Sequence, residues 1–294
     1  MTGRFAVLLI ALLAGSVGSA GCARETDTAT PIATPTVTLS RSDAAVGSPV
    51  DITYRFVVAP DAPAIDEDYL VFVHFMDADR ERMWTDDHEP PTPTRQWKAG
   101  DTVEYTRTIF VPKFPYVGAA TIELGLYSRA SGARLPLAAP DSGMRAYRVA
   151  SFNMSLQADN LFVIFKDGWH ETEVSEDGGL EWQWSRKEGL LAFRNPKRNA
   201  ELILKVDQAV NALPEPQRVE VRLGSTAVDQ FTLRAGEREL RRIALPAAVL
   251  GDAETVEMAI VVDKTFVPAA VPALRSSDAR ELGIRVFRAY VEPK

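Results

Sequence analysis

Short runs of alternating apolar and polar residues, separated by turn residues, constrain the fold of this chain more than any other feature. The run 50–58, for example, places Ile52, Tyr54 and Phe56 on one face. Successive side chains of a β-strand point to opposite faces of the sheet, so each such run predicts a strand with one buried face. The spacing of the turns is typical of β-sandwiches, and no convincing amphipathic helix interrupts residues 37–150.

This pattern predicts an all-β protein with two consecutive β-sandwich domains. Residues 37–150 are predicted to form an immunoglobulin-like or fibronectin-like sandwich. Residues 151–294 carry nine candidate strands, which suit a jelly roll better than a small immunoglobulin fold. A hydrophobic content of 46% is sufficient for two real cores.

The N-terminal segment has a different character. Arg4 precedes an apolar run that is too short to span a bilayer, and small residues precede Cys22, the only cysteine in the chain. The segment resembles a bacterial lipoprotein signal with its lipobox, although Ser19 stands where leucine is usual. The resemblance implies removal of the signal peptide, residues 1–21, and lipidation of Cys22. An ordinary cleaved secretory signal, with Cys22 left as a free thiol, is the alternative.

Lipidation of Cys22 would determine the location of the protein. Two or more acyl chains hold a protein stably on a membrane, whereas one chain does so only marginally. Residues 22–36 are rich in Thr, Ala and Pro and are predicted to form a flexible tether between lipid and domain. The resemblance implies a cell-envelope protein. Ala23, in place of the Asp that commonly retains lipoproteins in the inner membrane, favours the outer membrane in a Gram-negative cell.

Charge and cysteine content exclude several classes of function. The net charge is −7, with 33 Lys and Arg against 40 Asp and Glu. Nucleic-acid binding requires a basic surface, so no nucleic-acid partner is expected. A single cysteine allows neither an internal disulfide nor a cysteine-based zinc site. No cofactor is expected, apart from the metal alternative considered next.

The loop 84–91 is dense in potential metal ligands. Asp86, Asp87 and Glu89 supply three carboxylates, and His88 supplies an imidazole. Oxygen ligands of this density suit calcium, and His88 would suit zinc or another transition metal. However, the spacing matches no known metal-binding loop, and turn-forming residues of this kind are common in connections. A structural loop is the favoured interpretation, and a metal site is the alternative.

Tryptophans form the second candidate site. Trp182 and Trp184 lie two residues apart and share one face of a predicted strand, where Trp169 is a candidate neighbour. If exposed, these rings would stack on sugar rings, with His170 and Glu171 supplying hydrogen bonds. If buried, they belong to the core of the sandwich, which is the usual position of large indole rings. The core is the favoured interpretation, and a ligand-binding surface is the alternative.

Two groups of motifs resemble domains of known families. Segments 168–170, 182–184, 200–204 and 278–284 together resemble the galactose-binding-like jelly rolls of bacterial envelope proteins, and similar modules end some membrane glycosyltransferases. The segment 70–75 and the residues that follow it resemble sandwich domains found in similar envelope proteins. The resemblance implies a fold and a class of cell-surface protein, but a fold alone does not assign a ligand.

Motifs that would indicate catalysis are missing from the sequence, which has no Gly-x-Ser-x-Gly elbow, phosphate loop or dinucleotide fingerprint. We therefore expect a non-catalytic, lipid-anchored envelope protein that binds a glycan or a protein partner through its β-sandwiches. A scaffold lipoprotein without a small ligand is the alternative. A glycan-acting hydrolase is the less favoured third class, since its paired carboxylates meet only in space. Asp278 and Arg280 could form an ion pair that holds the loop before the last strand, or they could line a ligand cleft, and the structural pair is the favoured interpretation.

Overall fold

A computed structural model of the chain describes residues 28–157, 162–176 and 178–294. Within these ranges the regular secondary structure is almost entirely β-strand, with one short α-helix, Ala247–Leu250, and three short 3-10 turns. The all-β prediction, with two consecutive sandwiches, is confirmed. No helix in the described ranges is long and apolar enough to cross a membrane. The predicted signal peptide, Cys22 and the first residues of the tether lie outside these ranges.

Two sheets form the first sandwich. Its ten strands are β1 (Ala33–Leu39), β2 (Asp43–Ala45), β3 (Pro49–Val58), β4 (Leu70–Met76), β5 (Arg82–Thr85), β6 (Thr102–Phe110), β7 (Gly118–Tyr127), β8 (Arg134–Leu135), β9 (Asp141–Gly143) and β10 (Ala146–Ser155). One sheet has the order β1-β3-β6, and the other has the order β2-β10-β7-β4-β5 with β8 and β9 at its side. Strands β5 and β6 are therefore edge strands of different sheets.

The core of the first sandwich follows the predicted alternation. Ile52, Tyr54 and Phe56 on β3 are each 0% exposed, as the sequence pattern required. Aromatic packing extends from this core to the edge, where Trp84 on β5 stacks on Phe75 at a centroid distance of 4.4 Å. The edge of the sandwich is thus held by the same apolar burial that stabilises its centre.

The first sandwich is longer at both ends than the sequence indicated. The predicted tether, residues 22–36, overlaps β1, which begins at Ala33 and pairs antiparallel with β3. Pro35 is compatible with this position because β1 is an edge strand, where a missing amide hydrogen is tolerated. At the other end β10 continues to Ser155, beyond the predicted boundary at residue 150, because it pairs with both β7 and β2.

The second sandwich contains ten strands in the described ranges. They are β11 (Ile164–Phe165), β12 (Glu173–Val174), β13 (Glu181–Trp184), β14 (Glu188–Arg194), β15 (Ala200–Gln208), β16 (Gln217–Leu223), β17 (Thr226–Leu233), β18 (Arg238–Leu245), β19 (Thr255–Val262) and β20 (Ile284–Pro293). One five-stranded sheet has the order β11-β14-β19-β16-β17, and the other has the order β12-β13-β20-β15-β18. Nine of these strands were predicted, and the two-residue strand β12 was not.

Strand β15 divides its side chains between two surfaces. Leu202, Leu204 and Val206 point into the core between the sheets and are fully buried. Because side chains alternate along a strand, Lys205 and Asp207 lie on the opposite surface. We call this surface, formed by the sheet β12-β13-β20-β15-β18 on the side away from the core, the outer face.

The outer face meets the first sandwich. Arg242 on β18 forms an ion pair with Asp51 on β3, with a distance of 2.7 Å between Nη2 and Oδ1. Glu292 on β20 pairs with Arg41, which lies between β1 and β2. Both pairs join the two sandwiches across the outer face, so the space between the domains is bounded on one side by β15 and β20.

Candidate functional site

The structure places Trp182 and Trp184 together on the outer face of β13. Trp184 is buried against Phe266 and Leu282, and Trp182 is half-buried beside it. The Arg285 guanidinium covers both indoles, with distances of 5.3 Å and 5.4 Å to the ring centroids. These two rings therefore share a face, as predicted, but an arginine of the same sheet already occupies that face.

Trp169 does not join this pair. Its ring packs on Phe165 with a centroid distance of 4.8 Å, and its Nε1 donates a 2.9 Å hydrogen bond to the carbonyl oxygen of Leu190 in the opposite sheet. His170 Nε2 donates to the carbonyl oxygen of Glu281 at 2.7 Å, and Glu171 is exposed. The predicted ligand-binding residues therefore do not form one surface.

Asp86, Asp87, His88 and Glu89 do not form a ligand set either. Both carboxylate oxygens of Asp86 accept hydrogen bonds from Arg107, at 2.9 Å and 3.0 Å. An Asp87 oxygen accepts the amide hydrogen of Val73 at 2.9 Å. In the described part of the chain, no three His, Cys, Asp or Glu side chains are grouped to hold a metal ion. The geometry corresponds to the structural loop.

Both ring nitrogens of His88 have partners within the first sandwich. His88 Nδ1 lies 2.7 Å from the carbonyl oxygen of Asp86, and Nε2 lies 2.8 Å from the Tyr105 hydroxyl. A carbonyl oxygen only accepts, so Nδ1 carries the proton and Nε2 accepts from Tyr105. Burial lowers the pKa of the His88 imidazole and keeps the ring neutral.

The predicted ion pair before the last strand is confirmed. Arg280 Nη2 lies 2.7 Å from Asp278 Oδ2 and also 2.7 Å from Glu173 Oε1 on β12. The hydrogen bonds from Arg280 lower the pKa of the Asp278 carboxyl group. The contact between Arg280 and Glu173 connects the loop before β20 to β12, so the role of these charges is structural.

A cleft between the two sandwiches is the strongest candidate site. Residues 84–86 and 107–110 line it from the first sandwich, and residues 179–181, 205, 287 and 288 line it from the second. Its volume is about 170 Å³. Pockets that enclose a whole drug-sized ligand measure roughly 300–1,000 Å³, so this interdomain cleft fits one ring or one substituent of a larger ligand.

On the first-sandwich side, Asp86 and Arg107 join the edges of two sheets. Arg107 lies on edge strand β6, and Asp86 directly follows edge strand β5, so their bidentate pair connects the two sheets. Burial lowers the pKa of the Arg107 guanidinium, but the hydrogen bonds to Asp86 and the electrostatic attraction of that carboxylate and of two tyrosines together outweigh burial, and the pKa is raised overall. Both charges on this side are thus balanced by each other.

On the second-sandwich side, Lys205 differs from the arginines because it forms no ion pair within the described residues. Arg288 beside it pairs with Glu181 at 3.6 Å. Lys205 is half-buried, and within residues 28–157, 162–176 and 178–294 no hydrogen bond or ion pair involves its ammonium group. Burial, followed by the positive charges of Arg238 and Arg107, lowers the pKa of the Lys205 ammonium group, and the negative charge of Asp86 opposes this shift without outweighing it.

The charges of the residues that line the interdomain cleft therefore do not sum to zero. Three cations, Arg107, Lys205 and Arg288, face two carboxylates, Asp86 and Glu181, which leaves a net charge of +1. This contrasts with the net charge of −7 for the whole chain. A partly enclosed cleft that carries an uncompensated cation attracts a negatively charged group.

Sequence reasoning missed the interdomain cleft. Its residues come from five separate segments, and only the segment around Asp86 was singled out. Lys205 is one polar residue in an alternating strand, and that pattern is equally typical of any solvent-facing position. The segment 202–206 contained a weak signal. Its residues are apolar on both faces of the strand except for Lys205, which indicates that the face carrying Lys205 is also packed against other parts of the protein.

Comparisons with known proteins do not assign the chain to a family. No protein-family model matches the chain, and no curated protein matches it either. Among solved structures, it is similar to the C-terminal CBM6 of LamC from Zobellia galactanivorans, at 12% identity and a TM-score of 0.25. That match covers 46% of this chain and 93% of the LamC domain.

Two further structures show the range of these similarities. The CBM22-1–CBM22-2 tandem domain of Xyn10C from Paenibacillus barcinonensis is 13% identical over 85% of this chain and 80% of its own, with a TM-score of 0.26. Alpha-2-macroglobulin from Escherichia coli is 11% identical over 91% of this chain and 16% of its own, with a TM-score of 0.28. Such scores are too low to transfer a ligand, so the chemistry must come from the cleft itself.

Proposed function

We propose that this protein is a non-catalytic, lipid-anchored protein of the cell envelope that binds a glycan in the interdomain cleft. The observation that carries the proposal is the uncompensated Lys205 in a cleft that both sandwiches build. The residues that line the cleft with Lys205 include the apolar Phe110 and Leu180 and the polar Thr85. Apolar surface with a few convergent polar groups is the usual composition of a small-ligand site.

A non-catalytic role is supported by the state of the acids in the cleft. Asp86 is held by Arg107, and Glu181 is paired with Arg288. A glycoside hydrolase needs one carboxyl group to donate a proton and a second to act as nucleophile or base. Two carboxylates that each already have an arginine partner are poorly placed for those tasks, because the arginine occupies the oxygens that would face the substrate.

The anchor proposal rests on the sequence around Cys22. Strand β1 begins 11 residues after Cys22 (33 − 22), and a fully extended chain spans at most about 3.6 Å per residue. The tether would therefore hold the first sandwich within roughly 40 Å of the lipid surface. A receptor in this position would meet glycans of the envelope layer closest to its own membrane.

A scaffold role is the second candidate, and one observation favours it. Trp184 is buried, and Trp169 and Trp182 are half-buried, with their faces packed against neighbouring side chains. A surface-exposed aromatic platform for sugars is thus missing at these three positions. A scaffold would require no ligand in the interdomain cleft, so a binding measurement separates the two candidates.

Two experiments test the proposal. The full chain, purified in mild detergent, is applied to an array of neutral, carboxylated, sulfated and phosphorylated glycans, and we expect selective binding. Binding to none of them, together with capture of an envelope protein, would support the scaffold instead. For the anchor, a clickable fatty acid supplied to cells should label the wild-type protein, and Cys22→Ser should abolish the label. An unlabelled wild-type protein would refute the anchor.

A further inference from the structure

The charges around Lys205 indicate which kind of glycan the interdomain cleft accepts. Lys205 lies on the outer face between Leu240 on β18 and Arg288 on β20, its cross-strand neighbours. Arg107 approaches from the first sandwich, so positive groups face Lys205 from both domains. Nearby Asp207, two residues along β15, is already held by Arg285 at 2.7 Å.

The carboxylates near Lys205 form their ion pairs with arginines and not with Lys205. Asp86 and Glu181 line the cleft, but each is paired with an arginine. Holding a half-buried ammonium group without a counter-charge is unfavourable, because burial removes part of its hydration. A charge of this kind persists where a ligand supplies the missing partner, as binding sites retain groups that reduce the stability of the free protein.

We propose that Lys205 binds a negatively charged substituent of the glycan, namely a carboxylate, sulfate or phosphate group, inside the interdomain cleft. This inference rests on the proposed function and narrows it to acidic glycans. The volume of about 170 Å³ agrees with a single sugar residue entering the cleft while the rest of the chain lies outside. Lys205 provides the charged contact, and Arg107 and Arg288 add to the positive potential.

Matched ligands test the charge directly. Trigalacturonate and its methyl ester share the same sugar chain, but the ester carries no carboxylate charge. Isothermal titration of the full chain in detergent should show that the ester binds about ten- to one-hundred-fold more weakly, which is the range expected for one charge-assisted hydrogen bond. A sulfated and a phosphorylated oligogalactan identify which anion is preferred. Binding of the preferred acid should weaken as ionic strength rises.

Matched variants assign the effect to Lys205. Lys205→Met keeps the length of the side chain and should weaken binding of the acidic ligand by the same factor, with no change for the ester. Lys205→Arg keeps the charge and should retain most of the affinity. Lys166→Met removes an exposed lysine next to β11 and should change nothing. Thermal unfolding of each variant verifies that it is folded, and Lys205→Gln replaces Lys205→Met if that variant does not fold.

The outcomes separate this inference from the proposed function. If glycans bind but acid and ester bind equally, or if Lys205→Met retains full affinity for the acid, the assignment of Lys205 is wrong and glycan binding stands. In a second experiment, the melting temperatures of the wild type and of Lys205→Met are measured with and without sodium sulfate, which tests anion binding without a glycan. If no glycan binds but sulfate stabilises the wild type and not Lys205→Met, the anion site is supported and the glycan function is wrong. If no glycan binds, and sulfate does not stabilise the wild type more than Lys205→Met, both are wrong.

Discussion

Lys205 and Asp207 lie two residues apart on the same strand and the same face, but their surroundings are opposite. Asp207 accepts two hydrogen bonds from Arg285, at 2.7 Å and 2.8 Å, and Arg238 lies 3.7 Å away. Lys205 faces the interdomain cleft, and in the described chain nothing pairs with it. The comparison shows that a partly buried charged side chain can have either of two roles in this sheet. A paired charge fixes the sheet, and an unpaired charge at a domain boundary indicates a place for a ligand.

The largest expected effect comes from breaking the paired region. Asp207→Ala removes the carboxylate that holds Arg285 and leaves a partly buried guanidinium without its partner. The free energy of unfolding should fall by about 1.5–3 kcal/mol, the range for hydrogen bonds to charged groups, and urea denaturation measures it.

An exposed ion pair is the control for that prediction. Glu104 lies 3.5 Å from Arg55, and their side chains are 55% and 46% exposed. Glu104→Ala should change the free energy of unfolding by less than about 1 kcal/mol. Equal losses for Asp207→Ala and Glu104→Ala would show that the Asp207 network has no special role in stability.

A second prediction concerns the buried His88 behind the first-sandwich side of the cleft. Burial lowers its pKa below the usual 6.5, and burial also lowers the pKa of His74. As pH falls below about 6.5, the unfolded chain binds a proton before the folded chain does. Stability should therefore fall with pH in that window, by at most roughly 1.4 kcal/mol per pH unit for each histidine.

Variants divide this pH dependence between the two histidines. With His88→Gln, the free energy of unfolding should fall less steeply as pH drops below 6.5. In the double variant with His74→Gln, it should fall less steeply still. Urea denaturation at a series of pH values between 7 and 5 measures the slopes. A slope that is the same in wild type and His88→Gln would mean that His88 is not held neutral by the fold.

A third prediction sharpens the comparison at Lys205 itself. If the unpaired ammonium group is unfavourable in the free protein, then Lys205→Met should raise the free energy of unfolding, by about 1 kcal/mol. Lys166→Met, at an exposed position, should leave it unchanged within about 0.5 kcal/mol. A clear loss of stability in Lys205→Met would show that Lys205 has a structural partner and would weaken the case for a ligand.

The smallest effect on stability is expected at the ion pair between the domains. Arg242 and Asp51 are 34% and 36% exposed, so Arg242→Ala should cost about 0.2–1 kcal/mol. The pair crosses the domain boundary, however, so the radius of gyration from small-angle X-ray scattering should increase. Arg55→Ala breaks a pair within the first sandwich and should leave the radius unchanged. An unchanged radius in Arg242→Ala would show that other contacts set the domain arrangement.

Sequence patterns predicted the strands well, because alternation directly reports which face of a strand is buried. Ile52, Tyr54 and Phe56 are buried as expected, and Trp182 and Trp184 share one face. The start of β1 was missed because Thr and Pro residues are as typical of a tether as of an edge strand. The ion pair between Asp278 and Arg280 was also predictable, because the two residues lie only two positions apart in the sequence.

Features that depend on the packing of distant segments were not predictable. Asp86 was a candidate metal ligand because its neighbours in sequence are acidic, but its actual partner is Arg107, 21 residues later on another sheet. Trp169 was a candidate neighbour of Trp182, but the two rings pack in different clusters. The interdomain cleft arises only when two sandwiches come together, and alternation within one strand contains no information about that contact.

Hydrogen–deuterium exchange of the full chain, with and without the glycan that binds most tightly on the array, tests the central claim most directly. Our account predicts slower exchange in the segments that build the interdomain cleft, namely residues 84–86, 107–110, 179–181 and the centre of β15 around Lys205. Slower exchange confined to other surfaces, such as residues 169–174, with these four segments unchanged, would contradict it.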